Sequence, residues 1–297
     1  MESLGHPLEE AGCVVGTAWA EPLAGGPGVG LDEDLPVTPA STIKVSIAQA
    51  VLNAIAAGDL DGRSRVVLSA DRRTPGPVTV SLMADDVEMS LRDLITLSLT
   101  ISDNPATDAL INAVGVDAIN TLGKDLGLEN TWLMSDLNTM LEEMAVELGF
   151  PDFNTFISTP GDSTPDVLRH RIAASTALDP TRGSRTTARD SVRFLQAVWS
   201  DRAGPAEACA AVRRGMAQQL TRHRIASGFP PGVSVAAKSG GLMGIVRNEI
   251  GVVSFPDGAA YAVGVFTRTD PSSRADARLV DAAIGAVAGE AVRRLRG

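Results

Sequence analysis

A chain of 297 residues with 44% hydrophobic and 21% charged residues can bury a large core, as one domain or two lobes, and its few aromatics leave that core to small aliphatic side chains. A net charge of −10 argues against nucleic-acid phosphates or an anionic membrane surface as partners. Cys13 and Cys209 form neither a metal pattern nor a disulfide framework and read as two buried thiols.

The N-terminus, Met1 to Glu10, is acidic, lacks a basic start and a continuous apolar stretch, and does not read as a secretory signal. With no run of about 18 apolar residues elsewhere, no membrane span is expected and the chain reads as cytoplasmic. Residues 12–20 predict a short strand, and Gly25, Gly26, Pro27 and Gly28 a turn. Over 42–57, Ile43, Ile47, Val51 and Ile55 recur at helical spacing, which predicts a helix with Ser41 at or near its N-cap. Leu91, Leu94, Ile95 and Leu99 mark a second helix over 91–99. Pro105 then opens a third through Ala113, with Asn104 suited to cap it.

Further helices are expected from Thr186-Thr187 to Trp199 and from Pro205 to Gln219. The C-terminal third changes character. Segments 233–237, 248–255 and 261–267 are rich in Val, Ile and Gly and predict adjacent antiparallel strands, with a turn at Pro256-Asp257-Gly258. A closing helix over 274–296 carries basic residues in its last turn, where they suit the helix dipole. Strands at both ends and helices between them predict one α+β domain over 1–297. Its sheet lobe would comprise about 11–40 and 226–297 and its helical lobe about 41–225, with a ligand cleft between them.

Three short motifs carry the chemistry: Ser41-Thr42-Ile43-Lys44, Ser102-Asp103-Asn104 and Lys238-Ser239-Gly240. A serine hydroxyl at a helix start lies near free backbone N–H groups but needs a base to take its proton. Lys44 is one turn later on the same face. Its neighbours Ile43, Val45 and Ile47 desolvate its amine, and Lys238 supplies a second positive charge if the fold brings it close, so both lower the pKa a base requires. Ser102 offers a hydroxyl that can pass a proton to a leaving group. Asn104 offers an amide to a substrate carbonyl and an oxygen to Lys44, whereas Asp103 reads as structural. Gly240 and Gly241 let the backbone approach a substrate, and the N–H groups of Gly241 and Ser41 can form an oxyanion hole. Lys238, Ser239 and Arg247 can hold a substrate carboxylate. This chemistry needs no metal and no cofactor.

In this order the three motifs are the signature of serine β-lactamases and penicillin-binding proteins, and the chain resembles the class A β-lactamase group of that superfamily. The resemblance runs from about Val14 to the C-terminus and implies a two-lobed fold, an antiparallel sheet from both chain ends flanked by helices and a central helical lobe. It implies Ser41 as nucleophile, Lys44 as its base, and Ser102, Asn104, Lys238 and Ser239 lining the site. Arg247 matches the family's carboxylate-binding arginine.

One part departs. The class A loop carries a glutamate in a Glu-x-x-Leu-Asn pattern that activates water for deacylation. Asp136-Leu137-Asn138 is similar to its end, but Met134 stands where the glutamate belongs. An insertion of about 30 residues follows within 139–178, helical from Met140 to Leu148 and Phe-rich from Phe150 to Phe156. Asp136, Glu142, Glu143 and Glu147 are the carboxylates that can replace the glutamate. The implied function is a serine hydrolase that forms an acyl-enzyme on a β-lactam or another small, carboxylate-bearing amide or ester. A transacylase or esterase of a biosynthetic pathway, or a ligand-binding relative without turnover, is the alternative.

Overall fold

The computed structural model describes residues 3–158, 165–272 and 275–297. A short helix, α1 (His6–Glu10), leads into strands β1 (Cys13–Pro22) and β2 (Val29–Leu31). A 3-10 turn, Ala40–Ile43, runs straight into α2 (Lys44–Ala57). A two-stranded ribbon of β3 (Arg65–Leu68) and β4 (Val87–Ser90) precedes α3 (Leu91–Thr100), α4 (Asn104–Val114) and α5 (Val116–Asp125). The expected insertion holds α6 (Leu137–Glu147), α7 (Phe153–Ser158) and α8 (Pro165–Ala173), and its stretch 159–164 lies outside the described residues. Helices α9 (Ala188–Trp199) and α10 (Ala206–Ala217) return the chain to the sheet. Strands β5 (Ser234–Leu242), β6 (Val246–Ser254) and β7 (Ala260–Thr269) follow, and α11 (Ala277–Arg296) closes the chain. Residue 274, the expected start of that helix, lies outside the described residues.

The sheet is antiparallel throughout, in the order β2-β1-β7-β6-β5, so the N-terminal hairpin docks beside β7, the last strand in the sequence. Successive side chains along a strand face opposite ways. Along β7, Tyr261, Val263 and Val265 therefore pack under α11, while Ala262 and Phe266 join the larger core with α2, α9 and α10. Helix α2 lies inside that core: Val45, Ile47, Ala48 and Val51 are fully or almost fully buried. Together with the preceding turn it is apolar enough over Ala40–Ala57 to match a membrane span in length and composition, yet its apolar stripe is spent on neighbouring helices. A third, smaller core belongs to the insertion. Met144, Phe153, Phe156 and Ile172 pack there against Ile245 and Val246 at the β5–β6 turn.

This is the two-lobed α+β fold that the resemblance implies. Several local expectations need correction. Ser41 sits within a 3-10 turn ahead of α2, and the N-cap of α4 is Asp103, whose Oδ1 accepts from Ala106 N at 2.8 Å, while Asn104 is the first helical residue. Lys238-Ser239-Gly240-Gly241 lies inside β5, which pairs with β6 as far as Leu242 opposite Val246. Helices α1, α5 and α8, strand β2 and the β3–β4 ribbon were not anticipated. Both cysteines are free thiols, Cys209 buried and Cys13 partly so.

Candidate active site

The turn before α2 is pinned from the sheet. Asn248 is wholly buried on β6; its Nδ2 donates to the carbonyls of Thr38 (2.9 Å) and Pro39 (3.1 Å), and its Oδ1 accepts from Thr267 N at 3.0 Å. Thr42 Oγ1 donates back to Pro39 O at 2.8 Å. Ala40, immediately before Ser41, takes a left-handed φ of 48°, a conformation unfavourable for a residue with a Cβ. Gly240 passes so close that a Cβ there would lie 2.9 Å from Pro39 O and 3.2 Å from Ser41 N. That close approach is the physical need for the glycine in the third motif.

Lys44, at the first helical position of α2, is completely buried. Its Nζ donates to Ser102 O (2.7 Å), Asp103 O (3.3 Å) and Asn104 Oδ1 (2.8 Å). The second motif therefore cradles this amine with two carbonyls and an amide oxygen. It can do so because Ser102 holds a left-handed φ of 66° and Asp103 is locked on both carboxylate oxygens, to Ala106 N and to Val80 N at 2.9 Å. Asn104 also donates through Nδ2 to Pro75 O at 2.8 Å, which leaves its amide in one orientation. Burial lowers the Lys44 pKa to about 7, against the opposing pull of Asp108 and Asp103. Close to neutral pH this amine is poised between its charged and neutral forms.

Lys238 is equally buried and shares strand parity with Ala236, which packs toward the helices. Its pKa is pushed well down by burial and then by the positive charge of Lys44, so the two amines feel one another. Its Nζ donates to Ser239 O at 2.8 Å. Ser239 N donates to Gln219 Oε1, and Gln219 Nε2 donates to the buried Glu249 at 3.0 Å. Burial pushes the Glu249 carboxyl up, while its bond from Ile225 N (2.6 Å) works the other way.

Ser41, Lys44, Asn104 and Gly241 line one cavity. Ser102, Lys238, Ser239 and Arg247, expected to line the site, are not among its lining residues. The Nε and Nη2 of Arg247 fork onto Asp281 of α11 at 2.8 and 2.6 Å. Arg224 reaches the same carboxylate at 2.7 Å and spans β5 and β6 by donating to Gly240 O (2.7 Å) and Asn248 O (2.6 Å). Burial alone would raise the Asp281 pKa, but Arg247 and Arg224 together hold it below the usual value.

Of the four carboxylates considered for the missing glutamate, only Asp136 lines the cavity, and it caps α6 by accepting from Thr139 N at 2.8 Å. Glu142 accepts from Phe153 N at 3.1 Å and Glu147 from Thr176 N at 2.8 Å, which fixes both within the insertion. Met134 is 58% exposed and outside the cavity lining. Sequence reasoning missed Asn248, Gln219, Glu249, Arg224 and Asp281. A signal was there for two of them: Asn248-Glu249 interrupts an apolar strand with polar side chains that only buried partners can satisfy.

The solved structures with this fold include a beta-lactamase from Sphaerobacter thermophilus, 26% identical, with a TM-score of 0.76 over 98% of this chain and 94% of that one. PBP-A, solved in a mutant form as an acyl-enzyme complex with penicillin G, shares the fold at 18% identity, with a TM-score of 0.75 over 98% and 95% of the two chains. Among curated proteins, the beta-lactamase regulatory protein BlaB of Streptomyces cacaoi is 28% identical over 283 residues, 90% of each chain. The model of the beta-lactamase enzyme family matches residues 7–295, from the helix before β1 almost to the end of α11 and through every motif described above; the chain is a member of that family.

Proposed function

We propose that the protein is a serine hydrolase that forms an acyl-enzyme at Ser41 with Lys44 as the base. The observation that carries this reading is a fully buried amine, with a pKa near 7, one helical turn from a serine on the wall of the same cavity. Neutral Lys44 Nζ takes the hydroxyl proton as Ser41 Oγ attacks the carbonyl carbon. The resulting oxyanion is met by the N–H groups of Ser41 and Gly241. As the C–N or C–O bond breaks, Ser102 relays the proton from Lys44 to the departing nitrogen or oxygen. Asn104 holds the amide side of the substrate. Ser239 and Arg247 are the proposed receptors for a substrate carboxylate. Arg247 can serve only while it shares its charge with Asp281, so the anion preference should be weak.

Water must then release the acyl group. Asp136, which lines the cavity, is the carboxylate proposed to assist, and its commitment to capping α6 favours slow release. A chromogenic cephalosporin and a simple aryl ester test the reading. Product should appear as a burst equal to the enzyme, followed by slow turnover, with neither phase in Ser41→Ala. Linear product formation unchanged in Ser41→Ala would reject the reading.

A second reading has its own support. Met134 replaces the expected glutamate, and the BlaB relative is described as a regulatory protein. A receptor that keeps its acyl group, or binds without reacting, uses the same cavity. It would give the burst without turnover, or saturable binding that survives Ser41→Ala.

A further inference from the structure

The cavity that holds Ser41 has a second wall, which the chemistry above does not use. Leu137, Met140 and Leu141 of α6, Ala177 and Leu242 line it together with Ser41 and Lys44. Four of these five side chains come from the segment that contains the insertion. The segment is tied off at its neck: Trp132 and Arg185 exchange backbone N–H···O bonds of 2.9 Å in both directions. Behind the wall, Met144, Phe153, Phe156 and Ile172 form a closed apolar core that extends to Leu242 and to Ala40, the residue before Ser41. The wall is therefore backed by packed side chains that hold its shape.

Its charges are few. Lys44 and Asp136 are the ionisable groups in the lining; the first is enclosed by three oxygens and the second caps α6. Among the described residues, nothing on this wall offers a cation to a carboxylate. An occupant there gains by removing apolar surface from water.

We propose that the insertion builds an acyl-chain pocket, and that the substrates are esters or thioesters of neutral aliphatic acids. This inference rests on the Ser41 acyl-enzyme reading and names its acyl group. Ser41 Oγ bonds to the acyl carbon as the C–O or C–S bond breaks, and the alcohol or thiol leaves with the serine proton. Water later returns the free acid and the serine hydroxyl. The chain lies along Met140, Leu141 and Ala177 throughout.

The test uses p-nitrophenyl esters from acetyl to octanoyl with the full-length protein, reading the second-order constant of the nitrophenol burst. Each buried methylene is worth about 0.8 kcal/mol, so the constant should rise roughly fourfold per added methylene until the cavity is full. Ala177→Phe, which fills the cavity, and Met140→Gln, a milder change of the wall, should each lower the octanoyl-to-acetyl ratio at least tenfold. Val146→Ala, at an exposed site on the outer face of α6, should leave the ratio unchanged. A constant independent of chain length, or a ratio unmoved by both wall variants in folded protein, overturns the pocket. Calorimetric binding of acetamide and octanamide to Ser41→Ala separates the two claims. If no ester gives a burst yet octanamide binds at least tenfold more tightly, the hydrolase reading falls and the apolar pocket stands. Equal binding of the two amides removes the pocket.

Discussion

Lys44 is the residue on which the proposed chemistry turns. Its neutral fraction grows as pH passes its pKa of about 7, so the acylation constant should rise about tenfold per pH unit below 7 and level off above it. Lys44→Met should lower that constant by roughly 10² to 10⁴ and remove the pH dependence. The same burial acts on stability with a definite sign. Between pH 7 and the ordinary lysine value of 10.5 the unfolded chain holds a proton that the folded chain does not. Stability of the wild type relative to Lys44→Met should therefore rise across that window, and below pH 7 the penalty is fully present. Urea unfolding at pH 6.5 and 9.5 measures the difference; a wild type that loses stability relative to Lys44→Met as pH rises would contradict the assignment. Much of this was legible in Ser41-Thr42-Ile43-Lys44, whose apolar neighbours already desolvate the amine. The Asn104 oxygen for Lys44 and a structural Asp103 were legible too, but the cap of α4 was not. Asp103 and Asn104 are both good caps, and only the fold shows that Pro75 O also holds the Asn104 amide, which leaves the cap to Asp103.

Among the elements, α6 decides the shape of the site, and its position depends on one buried carboxylate. Asp108 of α4 accepts from Leu137 N at 2.8 Å, Asn138 N at 2.9 Å and Thr74 Oγ1. Burial raises its pKa against those three bonds. Asp108→Ala leaves two N–H groups unsatisfied at the start of α6 and should cost about 2–4 kcal/mol. Hydrogen exchange at 137–139 should accelerate first, ahead of the sheet; exchange that changes equally everywhere would show that Asp108 serves the whole fold and not this helix start. The long periodic elements were visible in the sequence, since Leu91, Leu94, Ile95 and Leu99 leave little choice but α3. The short ones were not. Strands β3 and β4 have four residues each, and Arg65-Val66-Val67-Leu68 becomes a strand because Val87–Ser90, far along the chain, pairs with it. The strand expected over 233–237 runs on through Lys238-Ser239-Gly240-Gly241, and Gly240 marks where the turn carrying Ser41 crosses it.

Over the whole molecule, the two chain ends are joined by the sheet and locked by α11. Asp281 ties that helix to β6 through Arg247 and to the segment before β5 through Arg224. Asp281→Ala strands two guanidinium groups, one of them almost fully buried, and should cost about 3–5 kcal/mol in denaturant unfolding. It should also free Arg247 and tighten binding of carboxylate-bearing ligands; an unchanged midpoint together with unchanged affinity would show that the cluster does neither. The overall fold was legible because both chain ends are rich in strand-forming residues and the middle in helical periodicity. The third core was not, because Phe150, Phe153 and Phe156 reveal a cluster but not the β5–β6 turn it packs against.

The central claim is a covalent bond at one hydroxyl, and intact-protein mass spectrometry followed by peptide mapping tests it most directly. Incubation with penicillin G should add the mass of the whole β-lactam to the wild type, mapped to Ser41, and add nothing to Ser41→Ala. An unmodified wild type, or the same adduct on the Ser41→Ala variant, would contradict it.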